Sequence, residues 1–446
     1  MNQEDICVRG IPSTKKFIIF GLPTLGTSII MGFADFALFA LYNLAYNLTP
    51  FLVGIALGLG KITIAASQFF FGWISDAKYT KWGRRKPYLI IMSPVLGLSF
   101  ILLLLPSLML DLTDLNTLFI WLLIWYQIFN ICYGVTSPYG AWMAEQFRFN
   151  DRPRASQYQQ LFNFIGYALI TAFSMIILTD FINNLEENPS IIPADFFYSV
   201  LIFGTIPIIL FYLTSFVISK EPYFKINSKI IQNLKVILKN RNFLLATLMQ
   251  GISSIATIII VEIMLIFIIE VLQFNDLEYY VVAGIMIFGI LIFLYIWKMI
   301  IQKLGKKKSL LYIFLSAIII LSLTLIGLIP MESHFIFGLL FIIGLAGCLG
   351  GWALFPAIIY ADIAEDDEKK TGELKAGIYT GFPSITLNLF QAFGIFIMGM
   401  ILELPSLGGL SYSIGLILWG PICSLIFIIT YLFTRKFIQL DFEWER

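Results

Sequence analysis

The sequence has little charge, one histidine and four cysteines, and each shortage excludes a class of protein. Charged residues are 13% of the 446 residues, against about 25% in a soluble globular domain. A single histidine, His334, argues against a histidine-based metal or catalytic centre. The cysteines are scattered and fit neither a disulfide framework nor a metal site: they are Cys7, Cys132, Cys348 and Cys423.

Catalytic patterns are also missing. The sequence has no nucleophile–base set, no metal-ligand spacing and no phosphate-binding loop. We therefore expect no enzyme activity, no cofactor and no nucleic-acid partner.

Long apolar runs dominate what is present. Hydrophobic residues are 59% of the chain, and the mean hydropathy is +0.87. A run of about 20 apolar residues can span a bilayer as a helix. Twelve such runs are predicted, near 17–42, 50–74, 87–106, 117–143, 157–180, 196–218, 243–270, 278–300, 309–329, 335–359, 376–402 and 411–434. The polar segment Met1–Lys16 is not typical of a removable signal peptide. The predicted fold class is thus an all-α polytopic membrane protein of the cell membrane, surrounded by lipid.

The positive charges support this topology. Lys61 lies inside the second apolar run, and the other 28 of the 29 Lys and Arg residues lie on alternate loops and at the two ends. Because cytoplasmic loops are enriched in Lys and Arg, both termini are predicted to be cytoplasmic.

Two similar loops indicate an internal duplication. Gly83-Arg84-Arg85-Lys86-Pro87 opens the third run, and Gly305-Lys306-Lys307-Lys308-Ser309 opens the ninth. Two parallel six-helix repeats would have this relationship. We predict an N-terminal bundle over 1–219, a linker over 220–242 and a C-terminal bundle over 243–446, in a monomer. The linker has apolar residues at helical spacing, so it is either an amphipathic surface helix or a plain connection.

Three charged residues lie inside apolar runs: Asp35, Lys61 and Glu262. A charge at the bilayer centre costs about 2.5–3.5 kcal/mol, so such residues usually face a bundle interior or a wet cavity. Because Asp35 and Lys61 lie on consecutive helices, we predict that they interact, either as a packing ion pair or as part of a binding site.

Two loops and part of the first helix resemble a known family. Residues 72–87 read GWISDAKYTKWGRRKP, residues 361–377 read ADIAEDDEKKTGELKAG, and Asp35-Phe36-Ala37 is followed by Tyr42. These motifs resemble the major facilitator superfamily and, within it, the glycoside–pentoside–hexuronide cation symporters, the group of the melibiose permease. The resemblance implies a secondary transporter that moves a sugar or glycoside by alternating access, coupled to a cation. It also implies that Asp35 contacts sugar hydroxyls.

The sequence departs from that family at its other charged positions. Ile64 and Gln68 occupy the places of the sodium-binding aspartates, and Thr136, Gln159 and Asn388 lie at or near the places of three further charges. The sodium site is therefore not carried over. A proton on Asp35 is favoured over sodium, and an uncoupled facilitator is a further possibility. The alternatives are a carrier of lysolipids or other amphiphiles and a membrane sensor without transport activity.

The candidate residues form two groups. Polar and aromatic residues within the helices are candidates for substrate or cation contact: Asp35, Lys61, Tyr42, Gln68, Tyr139, Trp142, Asn163, Glu262 and Asn388. Charged and turn residues at the cytoplasmic ends are candidates for a gate that latches the two halves: Asp76, Gly83, Arg84, Arg85, Lys86, Glu145, Arg154, Asp362, Lys370 and Gly372. For the second group, solvated loops with weak surface pairs are the alternative.

Overall fold

The chain folds into long helices. The computed structural model describes residues 13–77, 79–147, 151–185, 192–220, 239–329, 334–371, 382–407 and 411–440, and these contain no β-strand. Twelve helices in the described residues are long and apolar enough to cross a membrane, as predicted. They are α1 (Thr14–Phe36), α2 (Pro50–Ala77), α3 (Lys86–Leu104), α4 (Leu115–Tyr133, continued by Thr136–Gln146), α5 (Arg152–Phe173), α6 (Ala194–Val217), α7 (Arg241–Phe267), α8 (Asp276–Leu304), α9 (Lys306–Ser322), α10 (Phe335–Thr371), α11 (Pro383–Leu402) and α12 (Gly415–Phe437).

Several of these helices change geometry along their length. The chain after α1, α5 and α7 forms π-helical turns, and the chain after α9 forms a 3-10 turn; these are Leu41–Ala45, Ser174–Leu178, Ile268–Leu272 and Leu323–Leu328. The two pieces of α4 meet at Gly134 and Val135. Pro138 explains this break, because it has no N–H to donate to the Gly134 carbonyl and its ring crowds that oxygen.

The N-terminal unit comprises residues 1–48 and 59–228. Within it, α1 packs against α5 and α6, while α3 packs against α4 and α6. Small residues allow the close approach that membrane helices need. At Gly60 of α2, a Cβ atom would lie 2.0 Å from the Tyr126 ring of α4, so only glycine fits there.

The C-terminal unit comprises residues 49–58 and 229–446. Its most buried helix is α7, which packs against α11 and α12, while α8 packs against α10. Residues 49–58 belong to this unit because Gly54 meets Gly399 of α11: a Cβ atom on Gly54 would lie 3.2 Å from the Gly399 Cα atom.

Equivalent turns open the third helix of each half. Gly83, before α3, has a φ of +104°, and Gly305, before α9, has a φ of +83°. A positive φ strains residues that have a Cβ atom, so both turns require glycine. Pro87 lies in the first turn of α3, where a missing N–H costs nothing.

The prediction for the end of the tenth helix was wrong. It stopped at residue 359, but α10 continues to Thr371 through residues that were expected to form a loop. Alanine, glutamate and lysine favour helix, and Lys369 Nζ lies 2.9 Å from Glu365 Oε1, one turn away. Most of the predicted linker, residues 221–238, and residues 372–381 before α11 lie outside the described residues.

Candidate functional site

An ion pair joins α1 and α2 inside the N-terminal unit. The Lys61 Nζ atom lies 2.5 Å from Asp35 Oδ1. The lysine side chain is 2% exposed and the aspartate side chain is 20% exposed, so the carboxylate is the more accessible partner. The predicted contact is present, and each charge compensates the desolvation of the other.

Asp35 lies where α1 changes its geometry. The helix ends at Phe36, and Ala37 has φ −122° and ψ −21°, outside the helical range. The chain resumes as a short helical segment and then the π-helical turn Leu41–Ala45. Interrupted helices recur at the binding sites of secondary transporters, so this position suits a ligand-binding carboxylate.

Two tyrosines missed by sequence reasoning lie near the carboxylate. Tyr133 of α4 and Tyr167 of α5 both interact electrostatically with Asp35. The Tyr167 ring lies against Gly32 of α1, 2.9 Å from where a Cβ atom on Gly32 would stand. The Tyr167 residue is 41% exposed. Tyrosine combines an apolar ring with a polar tip, which suits contact with a sugar. The i, i+4 spacing of Asn163 and Tyr167 was the available sequence signal.

Polar side chains connect α2 to α4. Ser67 Oγ donates to the Asn130 carbonyl at 2.9 Å. Gln68, predicted as a ligand contact, donates from Nε2 to Thr136 Oγ1 at 3.3 Å. Thr63 donates to the Gln127 side-chain oxygen. These contacts hold a polar strip between the two helices.

Asn163 of α5 is paired with α1. Its side-chain oxygen accepts from Ser28 Oγ. Gly166 allows this approach, because a Cβ atom there would lie 2.7 Å from the Ser28 Cβ atom. The predicted contact residue Asn163 thus belongs to the same helix pair that presents Asp35 and Tyr167.

Three predicted aromatic contacts are buried in this conformation. Tyr42 is fully covered and donates to the Leu103 carbonyl at 2.7 Å. Tyr139 stacks on Phe20 with ring centroids 5.2 Å apart and donates to the Phe20 carbonyl. Trp142 is also fully covered. None of the three offers an open ring face here.

The predicted residues of the C-terminal unit lie on α7 and α11. Glu262 is 0% exposed, five residues before the end of the most buried helix of this unit. Asn388 donates from Nδ2 to the Ser384 carbonyl of its own helix at 2.8 Å. Their roles stay predictions.

Buried charges meet at the ends of α2 and α4, and we call Ser75, Arg84, Arg85 and Glu145 the N-terminal charge cluster. Arg85 donates from Nε and Nη2 to Glu145 Oε1 at 3.1 and 2.9 Å and from Nη1 to Ser75 Oγ at 2.6 Å. Arg84 Nη1 lies 3.9 Å from the same Glu145 oxygen. With three hydrogen bonds to these two partners, the buried Arg85 holds the loop before α3 onto α2 and α4.

The C-terminal unit contains a smaller counterpart. Lys306, directly after Gly305, lies with its Nζ atom 2.7 Å from Asp362 Oδ2 of α10. Asp362 thus binds a cation of its own unit. The Asp76 and Lys370 side chains and Gly372 lie outside the described residues. The latch between the two halves stays a prediction.

Lys86 and Arg154 bind groups within the N-terminal unit. Lys86 Nζ donates to the Ile218 carbonyl after α6. Arg154 Nη2 donates to Thr14 Oγ1 at 3.3 Å, and its guanidinium lies 5.0 Å from the Phe17 ring centroid. Both cations therefore fasten helix ends together.

A family model described as MFS/sugar transport protein matches residues 19–415. The chain belongs to this family. The match runs from α1 to the first residue of α12. It therefore includes the Asp35–Lys61 ion pair, the N-terminal charge cluster and the Lys306–Asp362 pair. It agrees with the resemblance of the two loops to the major facilitator superfamily. No curated protein matches the chain.

Solved transporters share the fold of this family member. A D-xylose–proton symporter superposes with a TM-score of 0.65 at 13% identity, over 95% of this chain and 96% of that chain. A bacterial homolog of the human lysosomal transporter Spinster gives 0.63 at 13% identity, over 95% and 96%. A nucleoside transporter gives 0.60 at 13% identity, over 95% and 98%. At such identities the likeness concerns the fold.

Proposed function

We propose that this membrane transporter moves a sugar or glycoside by alternating access and that this transport is coupled to a proton carried by Asp35. The observation that carries the proposal is the pairing of a partly exposed Asp35 with a buried Lys61, beside Tyr133 and Tyr167. This group offers an accessible acceptor and two aromatic rings to a hydroxylated ligand, with the buried Lys61 behind the acceptor.

The chemistry links proton and substrate. The ionised Asp35 carboxylate accepts a charge-assisted hydrogen bond from Lys61. Sugar hydroxyls can bond to the same carboxylate, so a bound substrate competes with Lys61 for Asp35. Protonating Asp35 removes its attraction for Lys61. Binding of a proton and binding of a substrate therefore both shift the equilibrium between the formed and the broken ion pair. Such a shared equilibrium is the requirement for coupling.

The absence of sodium-site carboxylates supports the choice of proton. Ile64 and Gln68 stand at the two positions where the resembling symporters have aspartates. The Gln68 side chain is a hydrogen-bond partner of Thr136 and has no negative charge with which to hold sodium.

Uptake into proteoliposomes tests this proposal. A panel of radiolabelled sugars and glycosides is offered under an imposed proton or sodium gradient to the wild-type protein, Asp35→Asn and the control Asp111→Asn, an exposed loop carboxylate. We expect proton-driven accumulation of one panel member, lost only in Asp35→Asn. Uptake unchanged by Asp35→Asn would refute the role of Asp35. Absence of uptake for every sugar would refute the substrate class.

A second candidate substrate is an amphiphile such as a lysolipid. The C-terminal unit has an open groove of about 380 Å³ with a mostly apolar lining, in which the Phe288 and Ile292 side chains are exposed. Its residues come from α8 and α10: Val281, Gly284, Ile285, Phe288, Gly289, Ile292, Phe293 and Ile343. Apolar ligand pockets have roughly 300–1,000 Å³. Uptake of a lysolipid that requires a particular head group would favour this candidate. Without exchange of any ligand, the sensor alternative would remain.

A further inference from the structure

Two neighbouring helices of the C-terminal unit each present a stripe of uncharged polar side chains. The members of these polar stripes are Gln250, Ser254 and Thr257 on α7, and Ser384, Asn388 and Gln391 on α11. Their spacing of three or four residues places each set on one face of its helix. Both stripes are half-buried, except for the covered Ser254.

The exposed apolar residues of the same helices lie on a different face. They are Leu244 and Leu248 on α7, and Leu389, Phe393 and Met400 on α11. At about 100° of rotation per residue, each exposed apolar stripe is turned roughly 130–150° away from the polar stripe of its helix. Because polar side chains in membrane helices face the bundle interior or a wet cavity, the apolar stripes are the faces that meet lipid.

The two polar stripes lie on the same side of the helix pair. Gly251 of α7 meets the Phe390 ring of α11, and Gly394 of α11 meets Ile258 of α7. Residue numbers rise together in these contacts, so the two helices run parallel. Measured from this contact line, the polar stripe is turned by roughly 100° on each helix, in opposite senses. Opposite turns on two parallel helices bring both stripes to one side.

The stripes also share a depth. Gln250 and Gln391 are the chain neighbours of the touching residues Gly251 and Phe390, so they lie at one level. Gln250 is the tenth residue of α7, which places it about 14 Å along the helix from Arg241. The hydrocarbon core of a bilayer is about 30 Å thick, so this level is near its middle.

Tyr360 of α10 fixes the orientation of the Gln250 amide. The tyrosine is 5% exposed, and its hydroxyl donates to Gln250 Oε1. This bond holds the amide oxygen towards α10, so the Nε2 group and its two N–H donors point away from Tyr360. Within the described residues, Nε2 has no acceptor.

The amides of α11 add further donors and acceptors. Asn388 Nδ2 donates to the Ser384 carbonyl at 2.8 Å, which leaves the Asn388 side-chain oxygen as an acceptor. Gln391 makes no hydrogen bond within the part of the chain that the structure describes. We call Gln250, Asn388 and Gln391 the amide triplet. It offers both donors and acceptors, and none of its members is charged.

We propose that the amide triplet binds an uncharged, hydroxyl-rich part of the substrate, and that Tyr360 is the positioning residue for Gln250. A hydroxyl group both donates and accepts, so it can pair with an amide N–H and an amide oxygen at once. A carboxylate or phosphate would meet no cation on either polar stripe, and burying a charge without a partner is costly. The site therefore selects neutral sugars and glycosides over uronides and sugar phosphates. This inference rests on the proposed function for the sugar class and narrows that class.

Thiol labelling tests whether the polar stripes meet water. Gln391→Cys is compared with Phe393→Cys, two residues away on the exposed apolar stripe, in the purified full-length protein in lipid nanodiscs. The probe is methanethiosulfonate ethylammonium, a charged reagent that reacts with thiols in water. After subtraction of the wild-type signal, we expect Gln391→Cys to react several-fold faster, although Phe393 is 58% exposed. Thr257→Cys repeats the test on α7. Equal rates, or a faster Phe393→Cys, would overturn the proposal.

Equilibrium binding without any ion gradient tests the ligand. Radiolabelled neutral glycosides and the matching glucuronides are offered to the wild-type protein, Gln250→Leu, Gln391→Leu and the control Thr430→Val, whose hydroxyl bonds to the Ile426 carbonyl of its own helix. We expect each glutamine variant to raise the dissociation constant of a neutral glycoside roughly tenfold, as loss of one hydrogen bond does, and the control to leave it unchanged. The glucuronides should bind more weakly than their neutral counterparts. Unchanged affinity in both glutamine variants, preferred binding of glucuronides, or absence of binding by every neutral glycoside would overturn the proposal.

The positioning role of Tyr360 has its own readout. Tyr360→Phe should weaken binding several-fold in the wild-type background and add nothing in Gln250→Leu, because the tyrosine acts through that amide. Equal losses in both backgrounds would assign Tyr360 a general structural role instead. The site and the proposed function fail separately. Glutamine-dependent binding without uptake would refute transport and support the site, whereas Asp35-dependent uptake with unchanged affinity in both glutamine variants would overturn the site alone.

Discussion

Lys61 Nζ lies 2.5 Å from Asp35 Oδ1, and the two partners differ in their access to water: the lysine is 2% exposed and the aspartate is 20% exposed. The positive charge is thus fixed inside the N-terminal unit, and the negative charge is the one that a ligand or proton can reach. Because of this asymmetry, Asp35 is the member of the pair whose protonation and ligand contacts can change, whereas Lys61 stays in place as its partner.

Neutralising one member of this pair should cost more than neutralising both. Lys61→Met leaves a carboxylate without its cation, and Asp35→Asn leaves a buried ammonium without its anion. Breaking a buried pair costs about 3–5 kcal/mol, whereas replacing both partners is often neutral. We expect lower thermal unfolding temperatures for each single variant and partial recovery in Asp35→Asn/Lys61→Met. A double variant as unstable as the sum of the singles would contradict a direct interaction.

Tyr167 should contribute to substrate affinity through its ring. Its ring packs against Gly32 of α1, three residues before Asp35, and the residue is 41% exposed, in contrast to the covered Tyr139. We expect Tyr167→Ala to raise the substrate concentration for half-maximal uptake roughly tenfold, which corresponds to about 1.4 kcal/mol of binding free energy. Tyr167→Phe should keep most of the affinity. Tyr139→Phe is the matched control at a packed position. Equal affinities for Tyr167→Ala and the wild-type protein would exclude the ring from the site.

The helices and the ion pair could be predicted from the sequence because each depends on a strong local requirement. A helix needs about 20 apolar residues to span a bilayer. Two opposite charges on consecutive helices were expected to pair, because an isolated charge inside the membrane is costly. Tyr133 and Tyr167 could not be predicted, because aromatic residues are 16% of the chain and the sequence does not show which way a helix faces. The same uncertainty favoured Tyr139 and Trp142, which turned out to be covered.

The charged ends show a different limit. The acidic residues after the tenth helix looked like a loop that pairs with the other half. In the structure they continue α10, and Asp362 binds Lys306 of its own unit. A sequence gives the signs of the charges at each end, but the choice among several nearby cations depends on helix length and rotation.

The two charge clusters should differ in their contribution to stability. Arg85 and Glu145 are almost fully buried, whereas Lys306 is 26% exposed. We expect Arg85→Met to cost about 3–5 kcal/mol because it leaves Glu145 buried with one cation fewer. Lys306→Met should cost less than Arg85→Met, because the Lys306 side chain is partly exposed, although it leaves a 13%-exposed Asp362 without this cation. Thermal unfolding in the same detergent compares the two. A larger loss of stability for Lys306→Met than for Arg85→Met would contradict this prediction.

Gly60 should be the least replaceable glycine of α2. A Cβ atom there would lie 2.0 Å from the Tyr126 ring and 2.6 Å from the Asn130 side chain, so α2 and α4 would have to move apart. We expect Gly60→Ala to cost about 1–3 kcal/mol through overpacking and to disturb the polar strip that includes Ser67 and Asn130. Gly140→Ala in α4 is the control, since nothing lies within 4 Å of its Cβ position. That change should be neutral or slightly stabilising, because alanine favours helix over glycine. If both variants unfold at the wild-type temperature, α2 and α4 do not approach as closely as described.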